Sequence, residues 1–215
     1  MVYAFSERFV MPFSHDEVVH GKGSLISRMP GDYRMKFAGV RAIMAYMMTH
    51  PGKKLTFMGC EIGQFDEWNS GGEVQWFLLD HHYHSALQLY FARLNHFYLE
   101  HSELWEEDSS WEGFQWVDVD RRDESIFSYR RISKDGSMTV VLNLTPVERQ
   151  GFELALEEGG EYEEIFNSDS EEFGGEGRVN RGIITAEEWE GDVFTVRLTL
   201  PPMSAIIVKK KEQNK

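Results

Sequence analysis

The sequence predicts an α/β portion followed by an all-β portion: two successive β/α units, then an antiparallel β-sandwich. Residues 8–101 show the order strand, long loop, helix, strand, long loop, helix. After Trp105 the chain shows about seven short strand-like segments separated by turn signals. A switch of this kind from helical spacing to strand alternation indicates two packing units. We therefore expect two domains, residues 1–108 and residues 109–215.

The net charge of the chain disfavours two classes of function. The 22 basic and 36 acidic residues give a net charge of −14, which disfavours a nucleic-acid binder and a protein that docks on anionic membranes. Residues 1–99 are neutral overall, whereas residues 100–192 carry −18, so the charge step falls near the expected boundary. A well-solvated acidic surface is the alternative explanation of the same excess.

The sequence also gives an indication of the cellular compartment of the protein. The longest apolar run, Ala42–Met48, has seven residues, whereas a membrane helix needs about 20. We read no signal peptide at the start of the sequence. Cys60 is the only cysteine, which excludes an intrachain disulfide and favours a reducing compartment, and we interpret it as a small buried residue. We therefore expect a cytoplasmic protein.

The first 101 residues are predicted as two strands, each followed by a long loop and a helix. The first strand is Arg8–Ser14, and the first helix begins after the N-cap Asp32 and ends at Pro51-Gly52. The second strand is Leu55–Met58. The second helix is marked by apolar residues at helical spacing: Leu87, Tyr90, Phe91, Leu94, Phe97 and Tyr98. This order implies parallel strands with covering helices.

Two long loops follow the predicted strands, over residues 14–32 and 59–80. Connections that serve structure alone usually have about 4–6 residues. Long loops that follow the strands of a β/α fold are where binding and catalytic residues concentrate, so we look for a functional site there.

The second portion is predicted as an antiparallel sandwich of short strands. Val193–Leu200 alternates most clearly, with Phe194 and Val196 on one face and Thr195 on the other. The strand-like segments are 114–119, 126–129, 138–144, 152–156, 162–166, 193–200 and 205–208. The glycine-rich and acidic segment 168–181 is predicted as a mobile loop.

The first long loop opens on a dense group of polar side chains, Ser14–Lys22 (SHDEVVHGK). A metal site is one interpretation, but His15 and His20 are five residues apart and do not share a helical face, so we expect no metal. A sugar site is a second interpretation, in which Asp16 accepts hydrogen bonds from hydroxyls and stabilises an oxocarbenium-like transition state. A third is that these residues anchor the loop by hydrogen bonds. The residues alone leave the last two open.

A second group follows the second strand, where Gly59–Asn69 combines acids, an amide and Trp68. An indole face stacks on a pyranose ring while polar groups bind its hydroxyls, so a sugar subsite is one interpretation. A glycine-rich turn with Trp68 packed at its rim is the other. We interpret His81, His82 and His84 as the cap of the second helix rather than as metal ligands. The sequence carries no Ser-His-Asp signature and no phosphate-binding glycine motif.

Several stretches resemble the bacterial 1,4-α-glucan (glycogen) branching enzymes of the α-amylase superfamily, and together they cover essentially the whole chain. The most specific is FVMPFSHDEVVHGK at residues 9–22, because its His-Asp-Glu run followed by Val-Val-His-Gly-Lys separates these enzymes from most other relatives of α-amylase. The others are MPGD at 29–32, HPGKKL at 50–55, FMGCEIGQ at 57–64, EW at 67–68, VLNLTP at 141–146 and LPPMSA at 200–205.

The resemblance implies the last two β/α units of a (β/α)8 barrel, followed by an antiparallel β-sandwich. Arg8–Ser14 then corresponds to barrel strand seven and Leu55–Met58 to strand eight. By motif match, Asp16 corresponds to the third catalytic carboxylate, which stabilises the transition state, and His15 to the histidine that hydrogen-bonds the sugar at the cleavage subsite. The residues that carry over as substrate-binding residues of the rim are Glu17, Lys22, Gln64, Glu67 and Trp68.

The implied reaction transfers an α-1,4-glucan segment to a 6-hydroxyl group, which forms an α-1,6 branch in glycogen biosynthesis. It needs no cofactor and no metal. The family's nucleophilic aspartate follows strand four and its acid/base glutamate follows strand five, and neither segment is present in this sequence. A retaining mechanism needs these two carboxyl groups about 5 Å apart. We therefore expect the chain to be the C-terminal part of such an enzyme and to be inactive alone.

The uncovered strand edges and helix faces of two isolated β/α units predict further contacts. We expect residues 1–108 to be loose or self-associated in the isolated chain, or to pair with an N-terminal barrel half, and residues 109–215 to fold. Two other functions stay open at this point: a non-catalytic glucan-binding or scaffold module, and a hydrolytic relative.

Overall fold

The computed structural model describes residues 4–118, 120–191 and 193–212, and it begins with the predicted order of strand, loop and helix, repeated once. The elements are β1 (Val10–Pro12), α1 (Tyr33–Thr49), β2 (Lys53–Leu55) and α2 (His82–Glu100). β1 and β2 pair in parallel, with Val10 opposite Lys53. Within the described ranges, neither these helices nor any other is long and apolar enough to cross a membrane.

Both strands are shorter than the sequence predicts. The prediction for Arg8–Ser14 is correct only over Val10–Pro12, and Leu55–Met58 is a strand only at Leu55. β1 ends where Ser14 caps a 3-10 turn. After β2 the chain turns at Phe57, whose carbonyl accepts a hydrogen bond from the Cys60 amide at 3.2 Å. The predicted range of the second strand therefore begins and ends too far along the sequence, because part of the apolar run Leu55–Met58 belongs to a turn.

The two helices lie where the sequence predicts them. Asp32 is the N-cap of α1, and its Oδ1 accepts a hydrogen bond from the Met35 amide at 2.9 Å. α1 ends at Thr49, two residues before Pro51, because proline cannot continue a helix. α2 contains the whole predicted apolar series, and His81 occupies its N-cap position without a side-chain hydrogen bond to the cap.

The rest of the chain forms one eight-stranded antiparallel sheet, in the spatial order β3-β4-β5-β10-β7-β8-β9-β6. Its strands are β3 (Phe114–Asp118), β4 (Ile126–Ser133), β5 (Gly136–Asn143), β6 (Arg149–Leu156), β7 (Gly160–Asn167), β8 (Ile184–Glu190), β9 (Val193–Leu200) and β10 (Ser204–Lys210). The sheet curls so that β6 and β9 share a core with β4, β5 and β10. The expected all-β antiparallel architecture is therefore confirmed, but as one curled sheet rather than two separate ones.

The sequence analysis missed one strand, β8. Among its side chains described at residues 184–189, only Ala186 is buried, while Thr185, Glu187 and Glu188 are exposed, so no apolar alternation marks the strand. β8 forms because β7 and β9 pair with it on its two sides. Pairing of this kind depends on the fold around the segment and not on its own composition.

β5 and β10 are buried on both faces and join the helices to the sheet. In β5, Val140 and Leu142 belong to the core that contains α1 and α2, whereas Val141 belongs to the core inside the curled sheet. β10 divides in the same way, with Ile207 on the helix side and Ile206 on the other. The α/β part and the sheet therefore share a continuous core. The domain boundary at residues 108 and 109 stays a prediction.

Residues 168–181, which we call the strap, were predicted as a mobile loop but are held against α1 by buried contacts. The Arg41 side chain is almost fully buried, and its Nε donates to the Ser168 carbonyl at 2.7 Å. Its Nη1 donates to the Phe173 carbonyl at 3.1 Å. Within the strap, the Asp169 carboxylate accepts a hydrogen bond from the Glu176 amide at 3.2 Å. The glycines and acids that suggested mobility instead form a compact turn.

Replacement of Arg41 by Met is expected to loosen the strap and to lower the free energy of unfolding by about 2–4 kcal/mol. Two buried carbonyls would lose a charged donor, each hydrogen bond being worth roughly 1.5–3 kcal/mol, and the apolar packing of the Met side chain offsets part of that sum. Urea denaturation measures the change. The matched control is Arg93→Met, because Arg93 Nε lies 3.9 Å from Glu172 Oε2 in solvent and should contribute less than about 1 kcal/mol. Equal losses in the two variants would contradict the anchoring role.

Candidate functional site

The two long loops leave the parallel strands at the same edge, because β1 and β2 run in the same direction. The Phe13 amide donates to the Leu55 carbonyl at 2.7 Å and continues the pairing to the start of the loops. The polar groups that the sequence analysis singled out after each strand therefore lie side by side.

The first loop begins with a reciprocal cap around the 3-10 turn His15–Glu17. The Ser14 hydroxyl accepts a hydrogen bond from the Asp16 amide at 3.2 Å. Glu17 Oε2 accepts from the Ser14 amide at 2.6 Å and from its hydroxyl at 2.9 Å. This capping box fixes the turn that carries His15 and Asp16. The Ser-x-x-Glu spacing is a known signal for such a box, and the sequence analysis did not use it.

Charged side chains of the first loop bind its own backbone. Burial acts to raise the pKa of Glu17, but the hydrogen bonds from Ser14 outweigh it, and the pKa lies below its ordinary value. The Lys22 ammonium donates to the Asp16 carbonyl at 2.6 Å and holds the middle of the loop against the turn. Substrate binding by Glu17 and Lys22 stays a prediction, and in this structure their charged groups make contacts within the loop.

Glu67 of the second loop binds the backbone of the first. Its Oε2 accepts from the Gly21 amide at 2.9 Å and its Oε1 from the Gly23 amide at 2.7 Å. Those two amide donors, together with the nearby His20, hold the pKa of Glu67 below its ordinary value. We call this pair of hydrogen bonds the latch. Beside it, the Trp68 amide donates to the Val18 carbonyl at 2.9 Å, so three hydrogen bonds join the two loops at this point.

Gln64 holds the second loop together. Its Oε1 accepts from the Gln75 amide at 3.0 Å, and its Nε2 donates to the Asp66 carbonyl at 3.3 Å. Gln64, Asp66, Trp68 and Gln75 line a cleft of about 220 Å³ together with other residues of this loop. Three of the predicted substrate-binding residues, Gln64, Glu67 and Trp68, therefore line this cleft.

An aromatic cluster brings His15 against the second loop. The His15 ring centre lies 6.1 Å from those of Phe57 and Trp68, and these two rings meet edge to face at 5.3 Å. His15 Nε2 lies 3.3 Å from Asp16 Oδ1. The two side chains remain 54% and 68% exposed. A carboxylate and an imidazole thus face solvent from a fixed turn, as groups that bind a ligand must.

His84 supports the second loop from below, a role that the sequence analysis did not foresee. Its Nδ1 lies 2.6 Å from the Ile62 carbonyl and its Nε2 lies 2.9 Å from the Tyr33 hydroxyl. Because a carbonyl only accepts, we assign the proton to Nδ1 and the acceptor role to Nε2. Burial lowers the pKa of His84 and favours this neutral form. His84 lies three residues before the buried Leu87 on α2, and this helical spacing is the sequence signal for a buried histidine.

The described residues of the two loops do not form a metal-binding site. Among residues 4–118, 120–191 and 193–212, no three or more His, Cys, Asp or Glu side chains are grouped to hold an ion. Cys60 is buried, and burial raises the pKa of its thiol to about 11, so it behaves as the small core residue expected of it. A second groove, of about 670 Å³, lies on the curled sheet beside Arg130 and Lys210 and includes none of the predicted site residues.

Known proteins resemble this chain in both sequence and fold. Residues 116–211 match the family described as the α-amylase C-terminal all-β domain. The 1,4-α-glucan branching enzyme of Halothermothrix orenii is 47% identical over 99% of this chain and 34% of its own length. That of Aquifex aeolicus is 48% identical over 96% of this chain and 34% of its own length. The chain therefore spans about a third of the length of the curated relatives it matches.

Two solved structures have a fold similar to that of this chain. The α-amylase from H. orenii superposes with a TM-score of 0.57 at 16% identity, over 92% of this chain and 38% of the α-amylase. A debranching enzyme from Nostoc punctiforme gives a TM-score of 0.55 at 15% identity, over 88% of this chain and 34% of that protein. The likeness extends over the helices as well as the sheet, because each match covers most of the chain.

Proposed function

This chain belongs to the family of the 1,4-α-glucan branching enzymes and matches their C-terminal third, and we propose that it supplies the side of the active site that stabilises the transition state. The proposed reaction cleaves an α-1,4-glucan, holds the cleaved segment as a covalent glycosyl intermediate and passes it to a 6-hydroxyl group. Asp16 is the residue of this chain that faces the reacting sugar.

The two β/α units are, in this proposal, the seventh and eighth of a (β/α)8 barrel. The parallel pairing of β1 with β2 supports it, and so does the superposition on α-amylase over 92% of the chain. Active sites of such barrels lie at the carboxyl ends of the strands, and the loops with Asp16 and Trp68 leave from that edge. Val10 and Leu55 are 50% and 46% exposed, as expected of strands whose remaining neighbours belong to the rest of the barrel or to a second copy.

One observation carries the role of Asp16: its carboxylate is exposed on a capped turn at the carboxyl end of β1, beside His15. Glycosyl transfer develops positive charge on the sugar ring, and a fixed carboxylate lowers the energy of that charge without reorganising. His15 binds a sugar hydroxyl in this arrangement. The nucleophile and the acid/base group come from segments that the family carries upstream of strand seven.

Trp68 and Gln64 form the glucan-binding part of the second loop. Trp68 offers an aromatic surface against which a pyranose ring stacks, and Gln64 lines the adjoining cleft. Their place beside His15 supports a continuous path for an α-1,4-glucan across both loops. We also propose a cytoplasmic location, which the single cysteine of these 215 residues supports.

A chimera tests this function: these 215 residues replace the matching segment of the H. orenii branching enzyme. We expect the chimera to branch amylose, measured by loss of iodine colour and by chain lengths after debranching, within about tenfold of the unmodified relative. A folded chimera that releases linear oligosaccharides without branch points would identify a hydrolase. One that binds amylose without turnover would identify a glucan-binding module, and either result overturns the proposal.

A further inference from the structure

We propose that Glu67 is a positioning residue, whose latch on the first loop sets the direction in which Asp16 projects. The inference rests on the role proposed for Asp16. It differs from the expectation that Glu67 binds sugar, because it assigns the carboxylate to the protein backbone.

The latch is a fitted contact in which each carboxylate oxygen has its own donor. Gly21 and Gly23 have φ of +82° and +76°, a left-handed conformation that glycine adopts readily. This conformation turns both amides toward one carboxylate, as in anion-binding backbone concavities. A Cβ atom at Gly23 would lie 2.8 Å from Ser27 Oγ, so a larger residue would also crowd the loop.

Lys22 connects the latch to Asp16. It lies between the two latched glycines, so Glu67 fixes the backbone on both sides of it. Its ammonium then donates to the Asp16 carbonyl at 2.6 Å. An unbroken series of hydrogen bonds and covalent bonds therefore links the second loop to the proposed catalytic turn. It runs from Glu67 through the two glycines and Lys22 to the backbone of Asp16.

Besides the latch, the Lys22 amide donates to the Val19 carbonyl at 3.0 Å, and the other supports of the first loop act elsewhere along it. Glu17 and Ser14 cap the start of the turn, and the Trp68 amide holds Val18. The residues that follow, from His20 to Gly23, are exposed or half-buried and lack the core packing that fixes Val18. Loss of the latch therefore removes the contacts that join this segment to the second loop and leaves Lys22 on its local turn with Val19, while the cap of the first turn persists.

Amide hydrogen exchange on the full 215-residue chain tests the latch without any activity. Glu67→Gln keeps the size of the side chain but leaves one acceptor for two amides. We expect the Gly21 or Gly23 amide to exchange about tenfold faster, since a charge-assisted hydrogen bond is lost. The amides of α1 should not change, which verifies folding. The matched control is Glu73→Gln on the same loop, with no change expected at either glycine. Unchanged exchange in Glu67→Gln would overturn the latch.

The chimera then tests positioning. A misplaced Asp16 lowers kcat, whereas a lost sugar contact raises KM with kcat kept. We expect Glu67→Gln to lower kcat about tenfold with little change in KM, and Glu67→Asp, which keeps both acceptors, to recover part of it. A raised KM alone would overturn the positioning role. Failure of the function proposed for Asp16 is recognised separately, because Asp16→Asn would then leave kcat unchanged whatever the exchange result.

Discussion

Asp16→Asn in the chimera is expected to lower kcat for branching by at least about 100-fold, while KM for amylose changes by less than about threefold. The substitution removes a negative charge and keeps the shape and the hydrogen-bonding reach of the side chain. A preorganised electrostatic contact to a transition state is worth on the order of 100- to 1,000-fold in kcat. Because the charge on the sugar exists only in the transition state, the ground-state complex should lose little.

The control for Asp16→Asn is Asp32→Asn, the same chemical change at the N-cap of α1. Asn caps a helix about as well as Asp does, so this variant should keep both folding and turnover. Initial rates over a range of amylose concentrations separate kcat from KM. A kcat for Asp16→Asn within a few-fold of the parent chimera would show that Asp16 does not stabilise the transition state.

Arg131→Met is expected to cause the largest loss of stability, about 3–5 kcal/mol of the free energy of unfolding. Arg131 lies on β4 and is fully buried. It donates to the carbonyls of Gly113 at 3.0 Å and Thr49 at 2.7 Å, and its Nη2 lies 3.2 Å from the Leu104 carbonyl and from Asp108 Oδ1. Removing one partner of a buried ion pair leaves the other charge uncompensated, which is the costly case.

A loss of that size is a large share of the roughly 5–15 kcal/mol by which domains of this kind are stable. The effect should also reach the end of α1, because the Thr49 carbonyl loses its donor. Thermal and urea unfolding of the 215-residue chain measure it. The control is Arg197→Met, whose 3.2 Å ion pair with Glu153 is exposed and should contribute less than about 1 kcal/mol. A loss below about 1 kcal/mol for Arg131→Met would contradict the account.

The parts of the fold that the sequence predicts are those set by local chemistry. α1 follows from its Asp32 cap, its apolar spacing and the proline that ends it. The strands of the sheet follow from short apolar alternations, with the exception of β8, whose exposed acids hide it. The lengths of β1 and β2 depend on how many residues face each other across the pair, and a single segment does not contain that information.

Some features of the candidate site can likewise be predicted from the sequence, whereas others depend on the fold. The group Ser14–Lys22 stands out in the sequence, and the resemblance to branching enzymes gives Asp16 and His15 their proposed roles. The latch joins residues 44 and 46 positions apart, so its partners could not be matched from spacing alone. The resemblance to branching enzymes is what placed Glu67 among the predicted substrate-binding residues. The partners of Arg131 could not be matched from spacing either, because its acceptors lie at the end of α1 and on the segment that connects α2 to β3.

The most direct test of the account is to locate the covalent intermediate in the chimera. A fluorinated α-glucosyl fluoride forms a slowly hydrolysed glycosyl ester with the nucleophile of a retaining enzyme, and peptide mass spectrometry then identifies the labelled residue. The account predicts a label outside these 215 residues, with Asp16 unlabelled. An ester on Asp16, Glu17 or Glu61 would contradict it, because this chain would then contain the nucleophile itself.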